Sequence, residues 1–316
     1  MKIALFERPT GDNPITALVL VLCGVMVLGL QDSLVKFMSS DTSLWQFQVL
    51  RAIGNGTLVI MMCALSRNFS LMVPLRWKPV LMRAFVLTVC MFCFFSGAPV
   101  LSVAQMAAGL YTYPIFVTIL AGPILGEKVG PWRILAVFVG ACGAFAILRP
   151  WHDSFTPVQI LPICAGFLYA INVLIVRRFC RGESPLALTF TVASMFFAVG
   201  VITIVILTLF PAPVAFQQSM PFVAIGWPTL TKTVLLFAVI ASFLNLFGNI
   251  FLNRAYQTAE SSWLAPLDFT YLLFAAFWSK LLFDSWPAPH TISGMVLIAC
   301  AGILTAWREH QLGKSR

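Results

Sequence analysis

A chain of 316 residues that is 60% hydrophobic and only 10% charged, with a mean hydropathy of +0.93, falls outside the range of soluble globular domains and reads as a polytopic membrane protein. Its formal net charge of +9 does not point to nucleic acid, because the Lys and Arg sit in short links between apolar runs. The eight cysteines lie almost all inside those runs and read as packing residues rather than a disulfide framework, and His152, His290 and His310 form no ligand pair.

The N-terminal stretch Met1 to Asn13 carries Lys2, Glu7, Arg8 and Asp12. The first apolar run, Ile15 to Leu34, is too long for a signal-peptide core and is followed by no small-residue cleavage site, so it reads as a retained span. A membrane helix needs ~20 apolar residues. On that rule the chain holds ten spans, at about 15–36, 43–65, 80–100, 104–125, 131–149, 157–176, 186–210, 233–253, 261–283 and 289–307. The breaks carry turn chemistry, among them Ser39-Ser40-Asp41, Glu127 to Pro131, Arg149 to Asp153 and Pro211-Ala212-Pro213. With the N-terminus inside, 15 of the 20 Lys and Arg fall on the cytoplasmic side and four (Lys36, Arg149, Lys232, Lys280) outside, with Arg51 left inside the second span. That bias places both termini in the cytoplasm.

Span four and span nine repeat one another. At a constant offset of 158 residues, Ala107 aligns with Ala265, Tyr111 with Phe269, Thr112 with Thr270, Tyr113 with Tyr271 and Phe116 with Phe274. This divides the chain into two five-helix units, 15–150 and 157–308. Because five is odd, consecutive units enter the membrane from opposite sides, an all-α plan of inverted repeats with a solute site near the midplane between the halves.

Polar groups at membrane depth are the candidates for function. Asp268 lies about seven residues into span nine, ~10 Å at helical rise, and reads as a contact for a substrate amine or a proton carrier. Tyr271 and Trp263 share that span. Asn245 and Asn249 belong, with Asn253, to a polar stripe that recurs every four residues on span eight, while Asn172, with Tyr169, makes a weaker pair on span six. Asp32 and Arg51 sit at similar depth in spans one and two, which suits an ion pair that is either structural or a gate. Tyr111 and Tyr113 flank Thr112 in span four, and Pro114 frees a backbone carbonyl one turn earlier. Gln46, Gln48 and Gln105 are secondary candidates. Enzyme signatures are absent: there is no phosphate-binding loop and no Gly-rich dinucleotide turn.

The stretch Tyr111-Thr112-Tyr113-Pro114, then Leu125 to Gly130, Arg133, Gly140, Gly143 and Leu148-Arg149-Pro150, resembles the first repeat of the EamA family in the drug/metabolite transporter superfamily. Ala265 to Thr270, with Gly294 and Gly302, resembles the second repeat, and the likeness runs over about residues 15–308. The resemblance implies ten helices and secondary transport, by alternating access, of a small polar metabolite such as an amino acid, a vitamin or a nucleoside-like compound across the inner membrane. It implies no cofactor, a proton as the candidate coupling ion, and a monomer or homodimer in the bilayer. One departure stands out: where the family has Gly-Glu before a proline in the second repeat, this chain has Asp284-Ser285. Lys280, four residues before Asp284, suits an exposed pair on one helix face.

Overall fold

The computed structural model describes residues 14–125, 131–149, 155–180, 182–258 and 267–314. Among them the chain is helical, with no strand. Its helices are α1 (Pro14–Phe37), α2 (Leu44–Leu65), α3 (Trp77–Ser96), α4 (Val103–Leu110), α5 (Tyr113–Leu125), α6 (Pro131–Leu148), α7 (Leu161–Phe179), α8 (Pro185–Leu209), the short α9 (Val214–Ser219) and α10 (Pro221–Ala224), α11 (Lys232–Thr258), α12 (Thr270–Phe283) and α13 (Pro289–Lys314). Seven described helical segments are long and apolar enough to cross a membrane, and three shorter apolar helices run over Ile134–Leu148, Thr270–Phe283 and Pro289–Leu304. Large apolar side chains such as Phe138 and Leu273 are 66% and 69% exposed, an arrangement that a hydrocarbon surround tolerates and water does not.

Local chemistry sets the helix ends. Ser43 opens α2 by accepting from the Gln46 N–H at 3.1 Å. Ser102 and Gln105 form a capping box at α4, which explains how α3 and α4 separate despite the short link between them. Gln105 is thereby committed to the cap.

The structure departs from the single continuous helix expected for span four. The helix stops at Leu110, turns through Tyr111 and Thr112, and restarts at Tyr113. The Thr112 hydroxyl donates to the Gly109 carbonyl at 2.7 Å, occupying an acceptor the helix has released. In the second half the helical residues 267 and 268 lead into a turn at Phe269, and α12 starts at Thr270. There the Thr270 hydroxyl donates to the Leu267 carbonyl at 2.6 Å. The two interruptions fall 158 residues apart and use the same bond.

The main helix interfaces join one half of the chain to the other: α6 packs on α13, α1 on α11 and α12, α2 on α8 and α11, and α3 on α7 and α8. Glycines permit the closest crossings. A Cβ on Gly143 of α6 would lie 2.8 Å from the Gly294 carbonyl oxygen of α13, and one on Gly248 of α11 would lie 3.3 Å from that of Gly24 of α1. The link after α8, expected as a simple turn, carries α9 and α10 and folds back over the start of α2. Trp45 Nε1 donates to Val223 O, Ser43 Oγ to Gly226 O and Gln46 Nε2 to Pro228 O, all at 2.7–2.8 Å.

Candidate functional site

Between the halves lies a cavity of about 280 Å³ whose wall draws residues from α1, α2, α3, α7, α8, α11 and both helix interruptions. The interruptions meet there. Tyr111, at the first, stacks on Tyr271, one residue past the start of α12, with ring centroids 5.1 Å apart and planes at 13°. Tyr111 also meets Phe269 edge-on at 5.6 Å, and Tyr113 meets Tyr169 edge-on at 5.0 Å. The Phe269 ring occupies the space that Gly302 of α13 leaves by having no side chain. Asp268, immediately before the second interruption, lines the same cavity where the aligned residue of the first half is Leu110.

A chain of hydrogen bonds crosses the cavity wall. Asn55 Nδ2 donates to Asn245 Oδ1 at 3.3 Å, Asn245 Nδ2 donates to Gln31 Oε1 at 3.0 Å, and Gln31 Nε2 donates to Asp32 Oδ1 at 3.0 Å. The Tyr271 hydroxyl donates to Asp32 Oδ2. Both oxygens of Asp32 are therefore served. The amide orientations are mutually consistent, each donor pointing toward the carboxylate.

Arg51 takes a different position from the expected ion pair. Asp32 and Arg51 line the same cavity, but no salt bridge joins them; Asp32 is turned to Tyr271 and Gln31 instead. The Arg51 guanidinium sits between the Phe95 and Phe196 rings, 5.3 Å and 5.6 Å from their centroids, in a residue only 4% exposed. Phe92 and Trp45 extend this aromatic wall, with Phe92 edge-on to Phe196 at 5.4 Å. Arg83 of α3 reaches the cavity as well, donating from Nη1 to the Leu188 carbonyl at 3.2 Å.

Of the residues singled out in the sequence, Asp268, Tyr271, Tyr111, Tyr113, Asn245, Asn249, Asn172, Arg51 and Asp32 all line this cavity. Asn249 turns its amide back to the Asn245 carbonyl at 2.7 Å. Gln46 does not line it; its side chain is spent on Pro228, in the link after α8, and on Thr42. Trp263 lies outside the described residues. Gln31, Asn55, Arg83 and Thr189 also reach the cavity and were not singled out. The spacing of Gln48, Arg51 and Asn55 on one face of α2, and the depth of Arg83 within α3, are the signals that would have found the polar wall. Lys280 and Asp284 form an exposed pair at 2.5 Å away from the cavity, and the hydrogen bond from Lys280 holds the Asp284 carboxyl below its ordinary range. All eight cysteines are free thiols, and Cys90 Sγ donates to the Ala165 carbonyl at 3.1 Å as a packing contact.

Residues 15–149 match the EamA-like transporter family. The chain is 30% identical over 199 residues to a riboflavin transporter of Brucella anthropi, covering 63% of this chain and 66% of that one. It is 27% identical over 215 residues to a riboflavin transporter of Vibrio cholerae, covering 67% and 65%. It is 26% identical over 220 residues to an S-adenosylmethionine uptake transporter of Rickettsia prowazekii, covering 70% and 68%. The matched stretch thus spans just under two thirds of the riboflavin transporters' own length. One crystal structure superposes with a TM-score of 0.58 at 16% identity, over 95% of this chain and 99% of that one, so the fold is shared well beyond the first half.

Proposed function

Because the chain belongs to the EamA-type family of the drug/metabolite transporter superfamily, we propose that it is a secondary transporter moving a small polar metabolite across the cytoplasmic membrane by alternating access. In this reading ten spans form two inverted five-helix repeats, 15–150 and 157–308, with both termini in the cytoplasm. The observation that carries it is the convergence of two interrupted helices, at Tyr111 and Phe269, on one polar cavity between the halves. An interrupted helix exposes backbone groups at membrane depth, which is tolerated where they line a protein-enclosed cavity and is how solute sites are built in inverted-repeat transporters.

The proposed roles follow the wall chemistry. Tyr111, Tyr113 and Tyr271 offer an aromatic platform. Asn172, Asn245 and Asn249 offer amides, and Arg51 and Asp268 offer opposite charges on the same cavity. Asp32 is the proposed gate or proton site, since its partners come from both halves. The names of the relatives direct the first cargo panel to riboflavin, S-adenosylmethionine and amino acids. The test is uptake and counterflow in vesicles reconstituted with the full chain. Saturable flux of one compound supports the reading; no flux of any compound by folded, inserted protein refutes it.

A further inference from the structure

Polar atoms of the cavity wall are left without hydrogen-bond partners, acceptors such as Asn172 Oδ1 as well as donors such as Gln48 Nε2, and the charged group beside them is Arg51. The Asp32 carboxylate is satisfied at both oxygens by Gln31 and Tyr271. The Arg51 guanidinium, with five N–H donors and 4% exposure, donates to no side chain or carbonyl among the described residues; its neighbours are the faces of Phe95 and Phe196. One turn away on the same face of α2, Gln48 is fully buried with neither Nε2 nor Oε1 partnered. Buried polar groups are ordinarily hydrogen-bonded, and a buried guanidinium needs an acceptor, preferably a charged one. The two nearby rings offer the guanidinium cation–π contact, which supplies no hydrogen-bond acceptor and leaves its N–H donors for a ligand.

Resting on the transporter reading, we propose that the cargo carries an oxyanion, a carboxylate or a phosphate monoester, which docks edge-on against Arg51 with Gln48 supplying a further donor. A two-oxygen acceptor matches the guanidinium fork, and a hydrogen bond to a charged group is stronger than a neutral one. Asp32 makes no salt bridge to Arg51 in this state, because both its oxygens are held by its own donors.

The test uses purified full-length protein and matched probes that differ only in the anion: nicotinate with nicotinamide, indole-3-acetate with its amide, pyridoxal 5′-phosphate with pyridoxal, and flavin mononucleotide with riboflavin. Binding is read by thermal shift and by quenching of intrinsic tryptophan fluorescence. The expected result is that the anionic member of at least one pair binds about 10- to 100-fold more tightly than its neutral partner, as loss of one or two charge-assisted bonds implies. The carboxylate and phosphate pairs identify which oxyanion fits. Arg51→Gln should erase the difference and Arg51→Lys keep part of it. The wild-type comparison within each pair needs no variant, so a misfolded substitution does not decide the matter. Neutral members that bind as tightly as the anions, anions that do not bind at all, or a preference that survives Arg51→Gln overturns the proposal. Vesicle flux of a neutral solute that is unchanged in Arg51→Gln would overturn it while leaving transport standing; absence of all flux would count against transport itself.

Discussion

Tyr271→Phe isolates one bond. The substitution keeps the ring stacked on Tyr111 at 5.1 Å and deletes only the hydroxyl that donates to Asp32. Asp32 then retains Gln31 as its donor at 3.0 Å. A hydrogen bond to a charged group contributes about 1.5–3 kcal/mol in folded proteins. Interhelical bonds in membrane proteins average about 0.6 kcal/mol and reach about 1.7. Where the two ranges meet, the expected cost is about 1.5 kcal/mol, close to tenfold in the unfolding equilibrium. Equilibrium unfolding of the protein in mixed micelles, titrated with SDS, measures it. In an Asp32→Asn background the acceptor is neutral and the same deletion should cost about half as much. Equal losses in both backgrounds, or a loss under about 0.3 kcal/mol in the first, well below that membrane-protein average, would refute the Tyr271–Asp32 bond as the tie between α1 and α12. A binding readout follows from the same geometry. With its second donor gone, Asp32 can turn toward Arg51 and neutralise it, so Tyr271→Phe should weaken anion binding and adding Asp32→Asn should restore it.

Gly143→Leu should destabilise the α6–α13 crossing by at least 1–3 kcal/mol of overpacking, because its first side-chain atom would already lie 2.8 Å from the Gly294 carbonyl; loss of a monodisperse species on size exclusion, with a lowered melting temperature, checks this. Thr112→Val and Thr270→Val each remove the hydroxyl that occupies the carbonyl three residues earlier. Both should lower flux more than they lower thermal stability, and a defect confined to one of them would show that the two interruptions do different work. In a cysteine-free background, a cysteine at Arg178 should be labelled by an impermeant maleimide only from the cytoplasmic side and one at Ser285 only from outside; the reverse pattern would overturn the proposed orientation.

What could be read in the amino-acid sequence was depth, and what could not was direction around each helix axis. Asp32 and Arg51 share a level, which made them look like partners. Only packing shows that Asp32 faces Tyr271 on α12 while Arg51 lies between Phe95 and Phe196. Gln46 and Gln48 were equally plausible for the same reason: two residues apart, they lie about 200° apart around a helix, and one is spent on the link after α8 while the other faces the cavity. Arg83 passed as a link residue because it sits close to the charged start of α3, although seven residues into that helix its head group reaches the cavity. The doubled segment itself was legible at its offset of 158. Its interruption was not, since a threonine bonding back three residues is as compatible with an intact helix as with a broken one. The Pro114 ring explains a weak point in the first half, but no proline follows Tyr271 in the second, where the helix also breaks.

The hydrogen-bonded chain from Asn55 to Asp32 constrains how the halves can move under the alternating-access reading. Three of its bonds join opposite halves: Asn55 to Asn245, Asn245 to Gln31, and Tyr271 to Asp32. At the membrane-protein average, breaking all three would cost about 2 kcal/mol, a barrier that binding of a cargo could offset only in part if its affinity for the two states differs little. The chain need not break everywhere. Helices α1 and α11 cross with backbone in near contact at Gly24 and Gly248, which favours their moving as one body and carrying the Asn245–Gln31 bond intact. The seam then falls either between α2 and α11, where the 3.3 Å Asn55–Asn245 bond is the longest of the chain, or between α1 and α12 at Tyr271. Arg51 belongs to α2, so a seam at α2 would carry the proposed anion site away from the amide wall during the cycle. On that account Asn55→Ala should raise the exchange rate of the transporter, while Gln31→Ala, inside the moving body, should lower stability without raising the rate. Equal rates in the two variants would place the seam at Tyr271 instead.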